Sequence, residues 1–220
     1  MITGLFEIHI TVDYSDGGFY NLFNYVSKND GMKLILAVAK EGDHRDQYMI
    51  SKFKNGTEQE VIDRALQIKE EMIKENIEVL RIKVESMAFN EKVPVTDEDY
   101  KEFIKVERIG KPYFEFHAKI KTENIQKLEE IIISLREILK RWKENETCKS
   151  TFMALSFNLC GSKIPLLTIR VYNNGRHTSI RIKDFILEYL KKQDYHIVDA
   201  IQQEFSVYDT NDSLDKGWLI

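Results

Sequence analysis

One nine-residue strand pattern occurs twice, and it limits what this chain can fold into more than any other feature. Leu5 to Asp13 reads Leu-Phe-Glu-Ile-His-Ile-Thr-Val-Asp, and Tyr113 to Lys121 reads Tyr-Phe-Glu-Phe-His-Ala-Lys-Ile-Lys. Both alternate apolar and polar residues with period two, the mark of a strand with one buried face. In the first, Phe6, Ile8, Ile10 and Val12 oppose Glu7, His9, Thr11 and Asp13. In the second, Phe114, Phe116, Ala118 and Ile120 oppose Glu115, His117, Lys119 and Lys121. A Glu-x-His pair thus recurs on the polar side of two strands that read as copies.

The surrounding elements repeat as well. After the first strand, Phe19, Leu22, Phe23 and Val26 space like the buried stripe of a short helix. Met32 to Lys40 and Gln47 to Lys54 read as a hairpin closed by Asn55-Gly56. Thr57 and Glu60 form a capping box, and the helix behind it carries Val61, Ala65, Ile68 and Met72 on one face. Val79 to Ser86 closes this half, with Leu80, Ile82 and Val84 opposing Arg81, Lys83 and Glu85.

The second half follows the same order. Ile125, Leu128, Ile132, Leu135, Leu139 and Trp142 form a helical stripe. Asn145-Glu146-Thr147 is a loop. Phe152 to Leu159 and Leu166 to Tyr172 are strands around a Gly161/Pro165 turn. Thr178 or Ser179 caps a last helix, which His196 ends, and Ala200 to Tyr208 is the closing strand. Strand–helix–hairpin–helix–strand twice over predicts an α+β fold: a tandem duplication of the ferredoxin-like βαββαβ unit, antiparallel sheets with helices outside. The expected boundaries are 1–90, a linker 91–112 with a short helix from Thr96, and 113–220 with a docked tail. Tyr100, Phe103, Ile104 and Val106 give the linker an apolar side for packing on one half.

Composition excludes some functions. A net charge of -4 argues against general nucleic-acid binding, which needs a basic surface. Cys148 and Cys160 are the only cysteines, too few for a disulfide framework and in no CxxC spacing; a reducing, cytoplasmic setting is expected. No apolar run is long enough for a membrane span, and no GxSxG, GxGxxG, P-loop or HExxH motif occurs.

Chemistry therefore has to come from the polar sheet faces. Strand alternation puts Glu7, His9, Thr11, Arg81, Lys83 and Glu85 on one such face. The other carries Glu115, His117, Lys119, Thr168, Arg170, Tyr172, Gln202, Glu204 and Ser206. Exposed faces of antiparallel sheets are ordinarily polar, so solvation alone accounts for much of this. If the halves close on each other, the faces line a cleft. His9, His117, Thr11 and Lys119 are then candidate catalytic groups, with the imidazoles as acid and base. Glu7, Glu115, Arg81, Lys83, Arg170, Tyr172 and Glu204 are candidate ligand contacts, the cations attracting a small phosphorylated ligand. Glu-x-His twice also offers two carboxylates and two imidazoles to a divalent metal. Asp209, Asn211 and Asp215 read as an anchoring tail rather than as metal ligands.

His9-Ile10-Thr11 resembles one of the two His-x-Thr/Ser motifs of the 2H phosphoesterases, whose architecture is bilobal and duplicated. That resemblance implies cyclic phosphodiesterase chemistry on His9 and Thr11. The second copy departs from it, since His117-Ala118-Lys119 puts lysine where that family needs a hydroxyl. The charged sheet interior is similar to that of triphosphate tunnel enzymes, but their Glu-x-Glu-x-Lys strand is absent. The run Glu204 to Asn211 with Leu214 to Trp218 resembles the end of an uncharacterised family of duplicated ferredoxin-like proteins, which implies no activity. Two readings stand: binding or hydrolysis of a phosphorylated ligand between two sheets, and a non-catalytic module recognising protein or RNA on open sheets, with Tyr113, Tyr172 and Tyr208 stacking bases.

Overall fold

In the computed structural model, which describes residues 1–14, 18–141, 150–160 and 164–218, eight strands close into one barrel. The chain runs β1 (Thr3–Val12), α1 (Gly18–Lys28), β2 (Met32–Ala39), β3 (Asp46–Thr57), α2 (Glu58–Lys74) and β4 (Val79–Met87). After α3 (Asp97–Phe103) it continues through β5 (Tyr113–Lys121), α4 (Ile125–Arg141), β6 (Thr151–Asn158), β7 (Leu166–Tyr172), α5 (Arg176–Lys192) and β8 (His196–Asp209). Around the barrel the order is β1-β3-β2-β6-β7-β5-β8-β4, every pairing antiparallel. Each half has the ferredoxin-like order, with β1 between β3 and β4 and β5 between β7 and β8. The halves meet like with like, β2 on β6 and β4 on β8, as a twofold relation between copies requires. The registers match too: His9 lies opposite Ser51 and Lys83, and His117 opposite Thr168 and Gln202.

The hydrophobic core lies outside the barrel wall, between the strands and their helices. Phe6, Ile8 and Ile10 of β1 and Phe114, Phe116 and Ile120 of β5 are fully buried there. Helix α2 packs across β1, β3 and β4, and α5 touches β5 and β8. Val61, Ala65, Ile68 and Met72 of α2 are completely buried, and the Thr57–Glu60 capping box starts that helix. Thr96 and Asp99 form a second box at α3, whose Tyr100 is buried and donates its hydroxyl to the Pro112 carbonyl at 2.7 Å.

Several local expectations change. In α1 the buried residues are Leu22 and Tyr25, while Phe19 and Phe23 face solvent: an eleven-residue helix on the edge of β2 offers the core only a narrow stripe. Asn55-Gly56 does not end the hairpin; β3 runs on, pairing Asn55 with Leu5 and Gly56 with Gly4, because β1 supplies a partner that the local turn signal cannot reveal. Leu80 is half exposed beside buried Ile82 and Val84, and Ile104 and Val106 of the linker are exposed. Helix α5 starts after Gly175, not at Thr178 or Ser179. Thr178 instead donates to Asp97 at 3.1 Å, and Ser179 is buried within the helix. His196 opens β8 rather than closing a helix. Trp142, the loop 145–147, Cys148 and Gly161 lie outside the described residues.

Because Phe116 is sealed between β5 and the helix layer, Phe116→Ala removes a full aromatic side chain from a site with little freedom to collapse. The expected loss is about 3–5 kcal/mol in a urea unfolding titration. Since one barrel joins both halves, the transition should remain single.

Candidate functional site

Closure of the barrel turns both polar faces inward. They enclose a cavity of about 370 Å³ bordered by Glu7, His9, Thr11, Arg81, Lys83, Glu115, His117, Lys119 and Arg170 among the expected residues. Two expected residues do not line it. Tyr172 borders a separate depression with Lys111 and Phe152, its ring 4.9 Å from that of Tyr113. Glu204 is fully buried on the inner face, covered by Gln202 and His117, and does not border the open space. Tyr113, offered as a stacking platform, is likewise buried, with the Arg170 guanidinium 4.1 Å above its ring.

The cavity has two unlike sides. Among the described residues the contiguous strands β5, β8, β4 and β1 contribute only polar lining: Glu115, His117, Lys119, Gln202, Arg81, Lys83, Glu7, His9 and Thr11. The opposite arc of β3, β2, β6 and β7, with the loop before β7, supplies Met49, Ile35, Ala37, Phe157, Ile164 and Leu166, interspersed with Gln47, Ser156, Asn158, Thr168 and Arg170. This apolar side was missed in sequence. The only signal was the apolar run of β2, which reads equally well as a strand buried on both faces.

Charges in the polar arc are paired. Arg81 grips Asp209 through Nε at 2.8 Å and Nη2 at 2.5 Å, and reaches Asp215 through Nη1 at 2.8 Å. Arg170 donates to Glu115 at 2.5 Å and to Asp215 at 2.9 Å. Lys83 sits 2.9 Å from both Glu85 and Glu115. Burial alone would push the Glu115 carboxyl up, but Arg170 and Lys83 hold it well below the usual carboxylate range. Asp215 is also held low: burial opposes ionisation, and Arg170 and Arg81 overcome it. Burial would lower Lys83, yet Glu115 and Glu85 raise it well above the ordinary lysine value.

The tail provides part of this network. A 3-10 turn, Asp212–Asp215, places Asp215 between the two arginines, where Gln47 also donates to it at 3.4 Å and to the Leu214 carbonyl at 3.1 Å. Trp218 borders the cavity and donates its indole N–H to the His44 carbonyl at 3.0 Å. Gly42 makes room for it: φ is +108°, and a Cβ there would stand 2.6 Å from Trp218 Cδ1.

The histidines occupy the middle of the cavity wall. His9 Nε2 lies 3.3 Å from Glu85 and 3.7 Å from Glu7. His117 Nε2 lies 3.2 Å from Glu115 and 3.7 Å from Glu204, while its Nδ1 meets the Thr168 hydroxyl at 3.1 Å. Burial pushes the His9 pKa down against the upward pull of Glu7 and Glu85, and the charge of Lys83 lowers it further. Glu7 accepts hydrogen bonds from Ser51 and Gln202. Burial raises its pKa, but His9 and these bonds outweigh that and hold it low. Glu204 goes the other way: burial and then the charges of Glu85 and Glu7 push it well above the carboxylate range. Glu7, His9 and Glu204 present ligand atoms all within 4.8 Å of one another.

These features define an eight-stranded α+β barrel, duplicated within one chain, with a charged interior cavity. No family model and no curated protein matches the sequence, so neither the phosphoesterase nor the tunnel-enzyme resemblance gains support. Similar solved structures include a provisionally assigned chlorite dismutase, 9% identical with a TM-score of 0.34 over 97% of both chains. Another is a chlorite dismutase from Candidatus Nitrospira defluvii in complex with imidazole, 11% identical with a TM-score of 0.31 over 97% of this chain and 94% of that one. Likenesses this loose carry no argument about the site. Among the described residues no helix is long and apolar enough to cross a membrane.

Replacing Asp215 by asparagine leaves Arg81 and Arg170 short of a buried negative charge. Asp215→Asn should lose on the order of 3–5 kcal/mol at pH 7. The pH dependence follows from the direction of the shift. A carboxyl held low in the folded state stabilises fully above the ordinary aspartate pKa of about 3.9, and that contribution is lost as pH falls toward its folded value. Urea titrations between pH 7 and pH 3 should therefore show a shallower acid decline in the variant than in the wild type.

Proposed function

We propose that the barrel binds a small amphipathic organic molecule in its interior, apolar face against Met49, Ile35, Phe157 and Leu166, polar edge toward His117, Lys119 and Thr11. The two-sided cavity carries this reading: among the described residues one continuous arc of wall is entirely polar, and the apolar lining is confined to the opposite arc. A volume of about 370 Å³ falls within the range of small-molecule pockets, which combine an apolar lining with a few polar groups that fix orientation.

The charge arrangement revises the expectation of a phosphorylated ligand. Arg81, Lys83 and Arg170 each already meet two carboxylates. A phosphate could claim them only by stranding buried carboxylates, at a cost of several kcal/mol. A ligand with uncharged hydrogen-bonding groups keeps those pairs intact. The alternative of a protein- or RNA-recognition module needs an open polar sheet face, and the polar faces of both halves point into the barrel.

Thermal-shift screening tests the proposal. Uncharged aromatic and carbonyl compounds should include ligands that raise the melting temperature, since a ligand at about 100 times its Kd adds roughly 2.7 kcal/mol. Nucleotides and cyclic phosphates should not. Ala37→Trp, which fills the apolar side, should abolish the shift while the protein still melts cooperatively. Stabilisation by phosphates alone, or ligand shifts unchanged in Ala37→Trp, would overturn the reading.

A further inference from the structure

The barrel interior is built twice, and its two copies differ at one charge-bearing position. By register, Lys83 faces His9 and Gln202 faces His117, while Glu7 pairs with Glu85 and Glu115 with Glu204. Lys83 and Gln202 are thus counterparts, as are Glu85 and Glu204, and Glu115 and Glu7. The contacts obey the same relation. The Lys83 ammonium bridges Glu85 and Glu115, 2.9 Å from each. The Gln202 amide bridges Glu204 at 2.9 Å and Glu7 at 2.5 Å. Where the first corner has a fixed positive charge between two carboxylates, the second has a neutral amide.

Two further features of the second corner bear on a cation. Glu204 is wholly buried, and its Oε2 has no hydrogen-bond partner among the described residues. A buried side-chain oxygen without a partner is costly. His9 stands between the two corners, with Nε2 3.7 Å from Glu7 Oε1 and 3.3 Å from Glu85 Oε2. The ligand atoms of Glu7, His9 and Glu204 lie within 4.8 Å of one another.

We propose that this corner binds a single divalent transition-metal ion through Glu7, His9 and Glu204, supplying the positive charge that Lys83 gives the other corner. One imidazole with two carboxylates suits Zn²⁺, Mn²⁺ or Fe²⁺ better than Mg²⁺ or Ca²⁺, which favour all-oxygen shells. Metal–ligand bonds of about 2.0–2.2 Å put neighbouring tetrahedral donors roughly 3.4 Å apart. The three donors, now within 4.8 Å of one another, would draw together to reach that size. Glu7 and His9 also border the cavity, so an ion here would have an entry path and would lie beside the space assigned to the organic ligand. The inference deepens that reading but is tested without it.

The test is titration calorimetry of the full-length protein, stripped with chelator, against Zn²⁺, Mn²⁺ and Mg²⁺ alone. We expect one Zn²⁺ or Mn²⁺ per chain and markedly weaker Mg²⁺ binding. Glu204→Gln should weaken transition-metal affinity by roughly 100-fold or more, going beyond the loss typical of supporting residues. Gln202→Lys is the sharper variant. It copies the Lys83 arrangement, so it should abolish metal binding and raise the melting temperature of the metal-free protein. Absence of transition-metal binding in the wild type, or binding unchanged in Gln202→Lys, would overturn the proposal. Ala37→Trp bears only on the organic ligand, so the two readings fail separately.

Discussion

Every charge sealed inside this barrel needs a partner of opposite sign, and the rest of the architecture follows from that requirement. A lone ion in a low-dielectric interior is prohibitively costly, and even a buried pair recovers its desolvation only with good geometry and further hydrogen bonds. Arg81 with Asp209 and Asp215, Arg170 with Glu115 and Asp215, and Lys83 with Glu85 and Glu115 meet that condition. Such a network adds little net stability compared with a hydrocarbon filling. It does keep the interior from collapsing onto itself, and the hydrophobic core is displaced outward, between the wall and the helices.

Duplication explains how so many charges come to be matched. Two copies of one unit, turned to meet β2 on β6 and β4 on β8, bring Glu-x-His from each half to the same cavity. The copies then diverge where they face each other. Lys83 became the counterpart of Gln202 and Thr11 of Lys119, so the two corners, alike in backbone, differ in charge. Asp215 belongs to neither repeat. It comes from the tail and joins Arg81 of the first half to Arg170 of the second, which makes the chain's end part of the interior rather than an appendage.

The amino-acid sequence by itself determined the element order, the duplication and the polar faces of β1, β4, β5 and β8, because alternation is a local property and each side chain's face follows from its position in the strand. It also marked the capping box at Thr57, which needs only residues three apart, and the start of a short helix at Thr96. Other features depended on partners distant in the chain. Whether Phe19 and Phe23 are covered depends on how α1 settles on β2; whether β3 continues past Asn55 depends on β1. Tertiary structure alone decided that the two polar sheets face each other, since closure rests on the β2–β6 and β4–β8 pairings, between segments more than a hundred residues apart. That closure turned two charged surfaces into one enclosed cavity. It set Met49, Ile35 and Phe157 across from the histidines, used the arginines and Lys83 on carboxylates, and gathered Glu7, His9 and Glu204 into one corner.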